Sequence, residues 1–391
     1  MKPAAPELAE LEDVHGSGAY LKRDLQVMRG EGARLFDAAG RGYIDCVSGM
    51  GAANLGHGHP RIVEAIRSQA QQLVSCPEVF RNPVRARYQA ELCRATGMPR
   101  VFLANSGSEA VEAALKVARL VTGRKRLIGM MRGFHGRTLG ALSLTWEKSY
   151  REPFEPLLAG IEHVPFNRPE RLAAVLDETV AAVLVEVIQG EGGVRPAEPG
   201  FLQDVAALCR GVGALLVVDE VQTGFGRTGS LFAHQAEGLR PDLLCLAKSM
   251  AGGLPMGAVL LGERVGSLPP RSHGSTFGGN PVACAAASAV LEVLEDGVLV
   301  SRCARLGAEA MARLRSRLPE SLVREVRGRG FLIGIEMRER VFPVLARLQE
   351  LGVLALNAGP TVLRLLPPLV ISEDQLWQVV DAVVQAVGDG H

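Results

Sequence analysis

The chain has 391 residues, 47% of them hydrophobic and 22% charged, enough to bury a large core as two domains or as one large domain with an appendage. No run approaches the roughly 18 to 20 unbroken apolar residues of a membrane helix, and the 43 basic and 42 acidic residues nearly cancel, so bulk charge offers nothing to a nucleic acid and a charged partner must be read by a local patch. Seven cysteines lie scattered without a CxxC pair, which suits reduced, buried thiols better than disulfides or a structural metal.

The opening MKPAAPELAELEDVH lacks the apolar stretch of a secretory signal, so a cytoplasmic protein is expected. VMRGEGARLFDAAGRGYIDC, from residue 27, reads as hairpin strands. From residue 100 onward short apolar runs alternate with helical patterns: RVFLA (100–104), RLIGMM (126–131), AAVLVEV (181–187), ALLVVDE (214–220), LLCLAK (243–248) and GAVLLG (257–262). Continuous apolar strands separated by helices predict an α/β layer with a mostly parallel sheet covered on both faces. After FGGNP (277–281) come an Ala-rich helix, the strand patterns VREVRGRGFLIGIEM (323–337) and VLALNAGPTVLRLLPPLVI (353–371), and a final amphipathic helix. These predict a smaller α+β domain built from both chain ends, with residues 1–55 and 286–391 in the small domain and 56–285 in the large one.

In a parallel α/β sheet, ligands sit outside the carboxyl ends of the strands. The residues ending the apolar runs are therefore the ones to examine: Asn105 and Ser106, Glu186, Asp219 and Lys248. VFLANSGSEAVEAALKVARL (101–120) is a strand, a Ser-Gly-Ser turn and a helix, with Lys116 on the helix's solvent side. Its exposed amides suit a phosphate, or Ser106 or Ser108 is a plain helix cap. Asp219 follows an apolar run and is costly to bury without a cation, which a protonated pyridine nitrogen, a structural ion pair or a helix start would supply. Lys248, one of only six lysines, closes a buried strand, where an amine shifts its pKa readily and becomes a nucleophile. A lysine, a carboxylate and a phosphate cradle at three strand ends together specify pyridoxal 5′-phosphate, held by Lys248 as an imine.

The motifs LGHGHP (55–60), NSGSEAVEAALKVAR (105–119), GFHGRT (133–138), VIQGEGG (187–193), VVDEVQTGFGRTG (217–229), AKSMAGGLPMG (247–257) and HGSTFGGNP (273–281) resemble, in order and spacing, the class III aminotransferases of pyridoxal-phosphate fold type I, in the acetylornithine and ornithine aminotransferase group. Val187, where the family usually has proline, and KSMAGG, for the commoner K-[AS]-L-G-G-G, depart from the pattern without removing a chemical group. The resemblance implies that Ser106 and the amides of Gly107 and Ser108 hold the phosphate with the partner's Thr276, in a homodimer with shared sites. It implies that Phe134 and Val221 sandwich the ring, Gln222 lies near the phenolic oxygen, and Asp219 keeps the ring nitrogen protonated. Lys248 would be both anchor and general base. Arg364, inside the apolar TVLRLLPPL, needs an anion whatever the family, a substrate carboxylate or an internal salt bridge. By resemblance it takes the substrate α-carboxylate with Glu191 as a neutralising gate, while Arg137 takes the second carboxylate and Ser275 joins the substrate contacts.

The implied reaction is ping-pong transamination between glutamate/2-oxoglutarate and a semialdehyde, which the gate and two arginines favour over the aminomutase and racemase outcomes of the same class. A fold that only binds a partner is disfavoured because Lys248, Asp219 and the cradle are all present. The stretches 131–157, 190–202 and 354–371 resemble most the lysine-pathway branch, whose 2-aminoadipate semialdehyde is joined to a small acidic carrier protein. N-acetylornithine, in arginine synthesis, is the alternative substrate. A carrier needs a basic rim, for which Arg81, Arg85, Arg87, Lys148 and Arg151 are candidates by local charge density, a solvated face being the plain alternative for each. His57 and His59 read as a turn near the cofactor rather than a metal site, and His135 as a pocket wall rather than an acid.

Overall fold

The computed structural model describes residues 5–389. Residues 1–4 and 390–391 of the expected terminal segments lie outside the described residues. Seven strands form one sheet in the order Arg100–Ala104, Gly257–Leu261, Leu243–Leu246, Leu215–Asp219, Val180–Glu186, Arg126–Met130, Ile161–Val164. Gly257–Leu261 is antiparallel to both neighbours, and the remaining pairs are parallel. Every residue of Val180–Glu186 and Leu215–Asp219 is buried, which is why these strands are apolar on both faces. All six strands expected from apolar runs form. Ile161–Val164 is additional; it is a half-buried edge strand whose Glu162 and His163 interrupt the hydrophobic signal.

One face of the sheet is covered by the helix Gly107–Thr122, whose alanines at 110, 113, 114 and 118 let it lie close on the strands Leu243–Leu246 and Gly257–Leu261. It starts at Ser106, whose Oγ accepts the N–H of Glu109, and stops at Gly123 in a left-handed conformation. The Ala-rich helix Pro281–Leu294 packs on Pro60–Gln72, Pro83–Thr96 and the turn Lys248–Ala251. The division expected at 285/286 falls inside this helix, which also touches Val298–Arg317.

The two ends of the chain meet. Val27–Glu31, Arg34–Asp37 and Gly42–Asp45 form an antiparallel meander, and Val353–Leu354 joins it in parallel beside Ile44 and Asp45. A second sheet, Val323–Arg329, Leu332–Met337, Val362–Leu365 and Leu356–Asn357, is antiparallel and associates with the helices Val298–Arg317 and Phe342–Glu350. The helix Glu373–Asp389 packs on both of these helices. All seven cysteines are free thiols, and among the described residues no helix is long and apolar enough to cross a membrane.

Gly257 opens its strand opposite Ala104, and a Cβ there would collide with the backbone carbonyl of Ser106, which cannot step aside as a flexible side chain could. Gly257→Ala is expected to cost about 1–3 kcal/mol as overpacking, seen as a lower urea midpoint at unchanged m-value. A variant as stable as the parent would contradict this close approach.

Candidate active site at the carboxyl edge of the sheet

Because five of the strands are parallel up to Ala104, Met130, Glu186, Asp219 and Leu246, their polar successors share one edge. Gly257–Leu261, running the other way, begins there. A cavity of about 320 Å³ opens at this edge, and its wall includes Ser106, Gly107, Ser108, Phe134, Glu186, Glu191, Asp219, Val221, Gln222 and Lys248. Residues from five separate motifs, together with the strand-end Glu186, are thereby brought within one small space.

The cradle is built by capping. Ser106 Oγ takes the N–H of Glu109, and the Glu109 carboxylate reaches back to the N–H of Asn105 at 2.8 Å. The amides of Gly107 and Ser108, in the helix's first turn, are left for an anion. A Cβ on Gly107 would stand 2.9 Å from a methyl of Val221, so the loop and this wall fit only with glycine. Both features suit the phosphate and ring of pyridoxal phosphate.

Asp219 is 4% exposed and meets His135, with Oδ2 and Nδ1 2.8 Å apart, while Oδ1 accepts the N–H of Val221. His135 is therefore more than the wall expected from sequence: it is the hydrogen-bond partner that Asp219 already has. Burial opposes a charged imidazole, but the hydrogen bond and charge of Asp219, helped by Glu186, outweigh it and raise the His135 pKa. A carboxylate has about four acceptor positions, so Asp219 can serve His135 and still receive a ring N–H. No local signal could have paired residues 84 positions apart.

Glu186, flagged from sequence only as a strand end, lies level with Asp219 in the strand register. It accepts the N–H of Phe134 at 3.2 Å and of Gly190 at 3.1 Å, tying the aromatic wall to the loop that carries Glu191. Burial pushes its pKa up to about 7, with His135 opposing and Asp219 adding to the shift.

Lys248 follows its strand on a short 3₁₀ turn, in a left-handed backbone conformation (φ +45°) that costs a non-glycine residue about 1–3 kcal/mol. The Ser249 hydroxyl holds this turn by donating to the Gly51 carbonyl at 2.7 Å. Burial lowers the Lys248 pKa; Glu191 and Asp219 pull it back up and Arg364 pushes it further down. The net result is a pKa below the ordinary lysine value, a shift in the direction a nucleophilic amine needs.

Arg364 is 1% exposed, and its Nη1 donates to Glu191 Oε1 at 2.6 Å and to Gln222 Oε1 at 3.2 Å. Its Nε is buried without a partner, so the guanidinium keeps a donor for another acceptor. Val194 seats against Gly334, where a side chain would meet it at 2.7 Å, and Gly334 is the register partner of Arg364. That contact docks the Glu191 loop onto the strand of the arginine.

Four expected residues do not line the cavity: Arg364, which reaches it through Glu191, and Arg137, Ser275 and Thr276. Arg137 is exposed, its guanidinium 3.5 Å above the Tyr150 ring and 5.6 Å from the centroid of Phe134. Ser275 lies behind the cradle, bonded to Asn105 and the N–H of Gly278, and Thr276 is exposed. Of the basic rim, Arg85 must be withdrawn: it is 4% exposed and donates to backbone carbonyls of Cys76 and Phe80, holding a loop. Lys148 is exposed but paired with Glu152 at 2.7 Å. Arg81 and Arg87 are exposed, and Arg151 is half-buried near Trp146. His57 bonds Asp45 at 2.7 Å, and His59 heads the helix Pro60–Gln72.

Only a neutral amine has the lone pair that attacks an aldehyde. In apoprotein, covalent coupling of Lys248 to added pyridoxal phosphate, followed by absorbance over a pH series, should rise through a midpoint below the ordinary lysine value of 10.5. The signal should vanish in Lys248→Arg, and a midpoint at or above 10.5 would show that burial does not govern this amine.

The model of the family described as aminotransferase class-III matches residues 18–387. The LysW-aminoadipate semialdehyde transaminase of Deinococcus radiodurans is 45% identical over 377 residues, 95% of this chain and 88% of that protein. The acetylornithine aminotransferase of Methanothermobacter thermautotrophicus is 42% identical over 98% of this chain and 99% of its own length. The crystal structure of ornithine aminotransferase from Toxoplasma gondii superposes with a TM-score of 0.95 at 34% identity, covering 99% of this chain and 96% of that one. The chain belongs to the class-III aminotransferases and is a pyridoxal-phosphate-dependent transaminase.

Proposed function

We propose that this transaminase moves an amino group between glutamate/2-oxoglutarate and the ω-end of an N-acylated substrate, the acyl partner being a small acidic carrier protein. The observation that carries the reading is the Glu191–Arg364 pair beside Lys248. An ω-amine brings no carboxylate to this point, and Glu191 neutralises Arg364 while it reacts. Glutamate brings one, and the same fork accepts it once Glu191 moves aside. Arg137, at the rim beside Phe134, takes the second carboxylate.

Pyridoxal phosphate, when bound, supplies the aldehyde carbon and the electron sink. Lys248 would hold it and would take and return a proton at its Nζ, acting on the substrate carbon. Asp219, oriented by His135, would pair with the ring nitrogen, and Phe134 and Val221 would confine the ring. Thr276 is exposed beside Phe277, itself 63% exposed, which supports a homodimer in which this loop completes the neighbouring site.

The carrier-linked 2-aminoadipate semialdehyde is favoured by the stretches 131–157, 190–202 and 354–371 and by the relative from Deinococcus. N-acetylornithine is the second reading, favoured by the acetylornithine aminotransferase relatives. The ratio of kcat/KM for carrier-linked lysine and for N-acetylornithine, each with 2-oxoglutarate, decides between them: a large preference for the carrier-linked amine supports the first, the reverse supports the second. Glu191→Gln leaves Arg364 uncompensated. It should shift the ratio of glutamate to ω-amine half-reaction rates, measured by stopped flow, toward glutamate by about tenfold or more, the scale of one charge-assisted contact. An unchanged ratio would remove the gate from the mechanism.

A further inference from the structure

The motif VVDEVQTGFGRTG contains a charged residue that none of the roles above uses, Arg227. Its side chain is wholly buried, and among the described residues no carboxylate pairs with it. Its Nη1 donates to the carbonyls of Pro367 and, at 3.4 Å, of Phe331, while Nε and Nη2 have no partner. Burial lowers its pKa to about 10, with Asp45, Cys46 and Cys303 opposing the shift, so the group stays charged at neutral pH. A charge kept in a core without a carboxylate is costly. What this one touches is the backbone that carries Arg364.

The strand Val362–Leu365 pairs antiparallel with Leu332–Met337, Ile333 opposite Leu365 and Gly334 opposite Arg364. Continued past Ile333 and Leu365, that register sets Phe331 opposite Pro367. The N–H of Met337 donates to the Thr361 carbonyl at 2.8 Å, so the pairs of this parity are the ones that exchange hydrogen bonds, as antiparallel ladders alternate. Phe331 and Pro367 stand where such an exchange is due, but proline has no N–H to give. Arg227 occupies the gap. Its carbonyl accepts the Phe331 N–H at 3.0 Å, and its Nη1 serves the Phe331 and Pro367 carbonyls that the ladder leaves open. The same stretch is held again at Leu366, whose carbonyl accepts the Ser48 hydroxyl at 2.6 Å and whose N–H donates to the Cys46 carbonyl at 2.9 Å.

We propose that Arg227 is a positioning residue for the glutamate half-reaction: by closing the ladder beyond Arg364, it holds that arginine in place when Glu191 moves aside. The inference rests on the reading that Arg364 accepts the carboxylate of glutamate. With Glu191 in contact, the Arg364 guanidinium is fixed by two side chains, Glu191 and Gln222. With Glu191 withdrawn, Gln222 alone remains, and the place of the guanidinium depends on its strand. Gln222 and Arg227 belong to one loop after the strand Leu215–Asp219, so the run that carries Asp219 also fixes Arg364 and the end of its ladder.

The test measures the affinity of the holoenzyme for glutarate, an unreactive dicarboxylate, by calorimetry. Stopped flow adds the half-reaction rates with glutamate and with the ω-amine that reacts better, carrier-linked lysine or N-acetylornithine. Arg227→Met should weaken glutarate binding by about tenfold or more, the scale of a charge-assisted hydrogen bond, and slow the glutamate half-reaction more than the ω-amine one. Arg227→Lys keeps a charged donor and should recover part of the affinity. Ser48→Ala, which leaves the Leu366 carbonyl without its hydroxyl donor, should act in the same direction and reads the same strand end where Arg227→Met does not fold. Equal loss in the two half-reactions overturns the proposal, because a merely structural arginine favours neither. Unchanged glutarate affinity in all of these variants overturns it as well. Arg364→Gln separates the two readings. If it spares glutarate binding, the assignment of the carboxylate to Arg364 fails; if it abolishes binding while the Arg227 variants bind like the parent, the role of Arg227 alone fails.

Discussion

A sheet buried on both faces leaves its charged groups one place to emerge, the carboxyl edge, and the structure follows from how those charges are matched there. Burying a lone carboxylate or ammonium costs several kcal/mol. Asp219 is accordingly matched by His135, Glu186 by two backbone N–H groups, and Arg364 by Glu191. Lys248 has no such close partner, and burial shifts it toward the neutral form. Among the described residues, Lys248 is thus the charged edge group without a contact pair, which suits the nucleophilic role proposed for it.

The edge alone would be an incomplete site. Arg364 arrives from a different sheet, on a strand paired with Leu332–Met337, and it meets the large body through the loop that Glu186 anchors at Gly190 and Gly334 receives at Val194. A single run from Glu186 to Val194 therefore ties together ring wall, gate and small sheet. A second cavity begins on the far side of the same run, at Arg132, Glu191 and Arg195.

Near-neutral bulk charge fits this picture. Recognition is built from a few guanidiniums placed against single carboxylates, and many surface charges form ordinary pairs such as Lys148 with Glu152 or Arg126 with Glu162 and Asp177. Such exposed pairs contribute roughly 0 to 1 kcal/mol, so they can be spread over the surface without shaping the site.

Apolar runs ended by a polar residue were sufficient to locate six strands, the edge they share, and Ser106, Asp219 and Lys248 upon it, because burial on both faces is written directly into local composition. The capped start of the helix at Ser106 was equally local. Only tertiary structure decided the rest. It brought His135 to Asp219 and Glu191 to Arg364, withdrew Arg85 into a backbone cage, set Arg137 at the rim, and gathered Arg132 with Arg195. Local propensity reports whether a side chain is buried, whereas the identity of its partner depends on where segments distant in sequence come to rest.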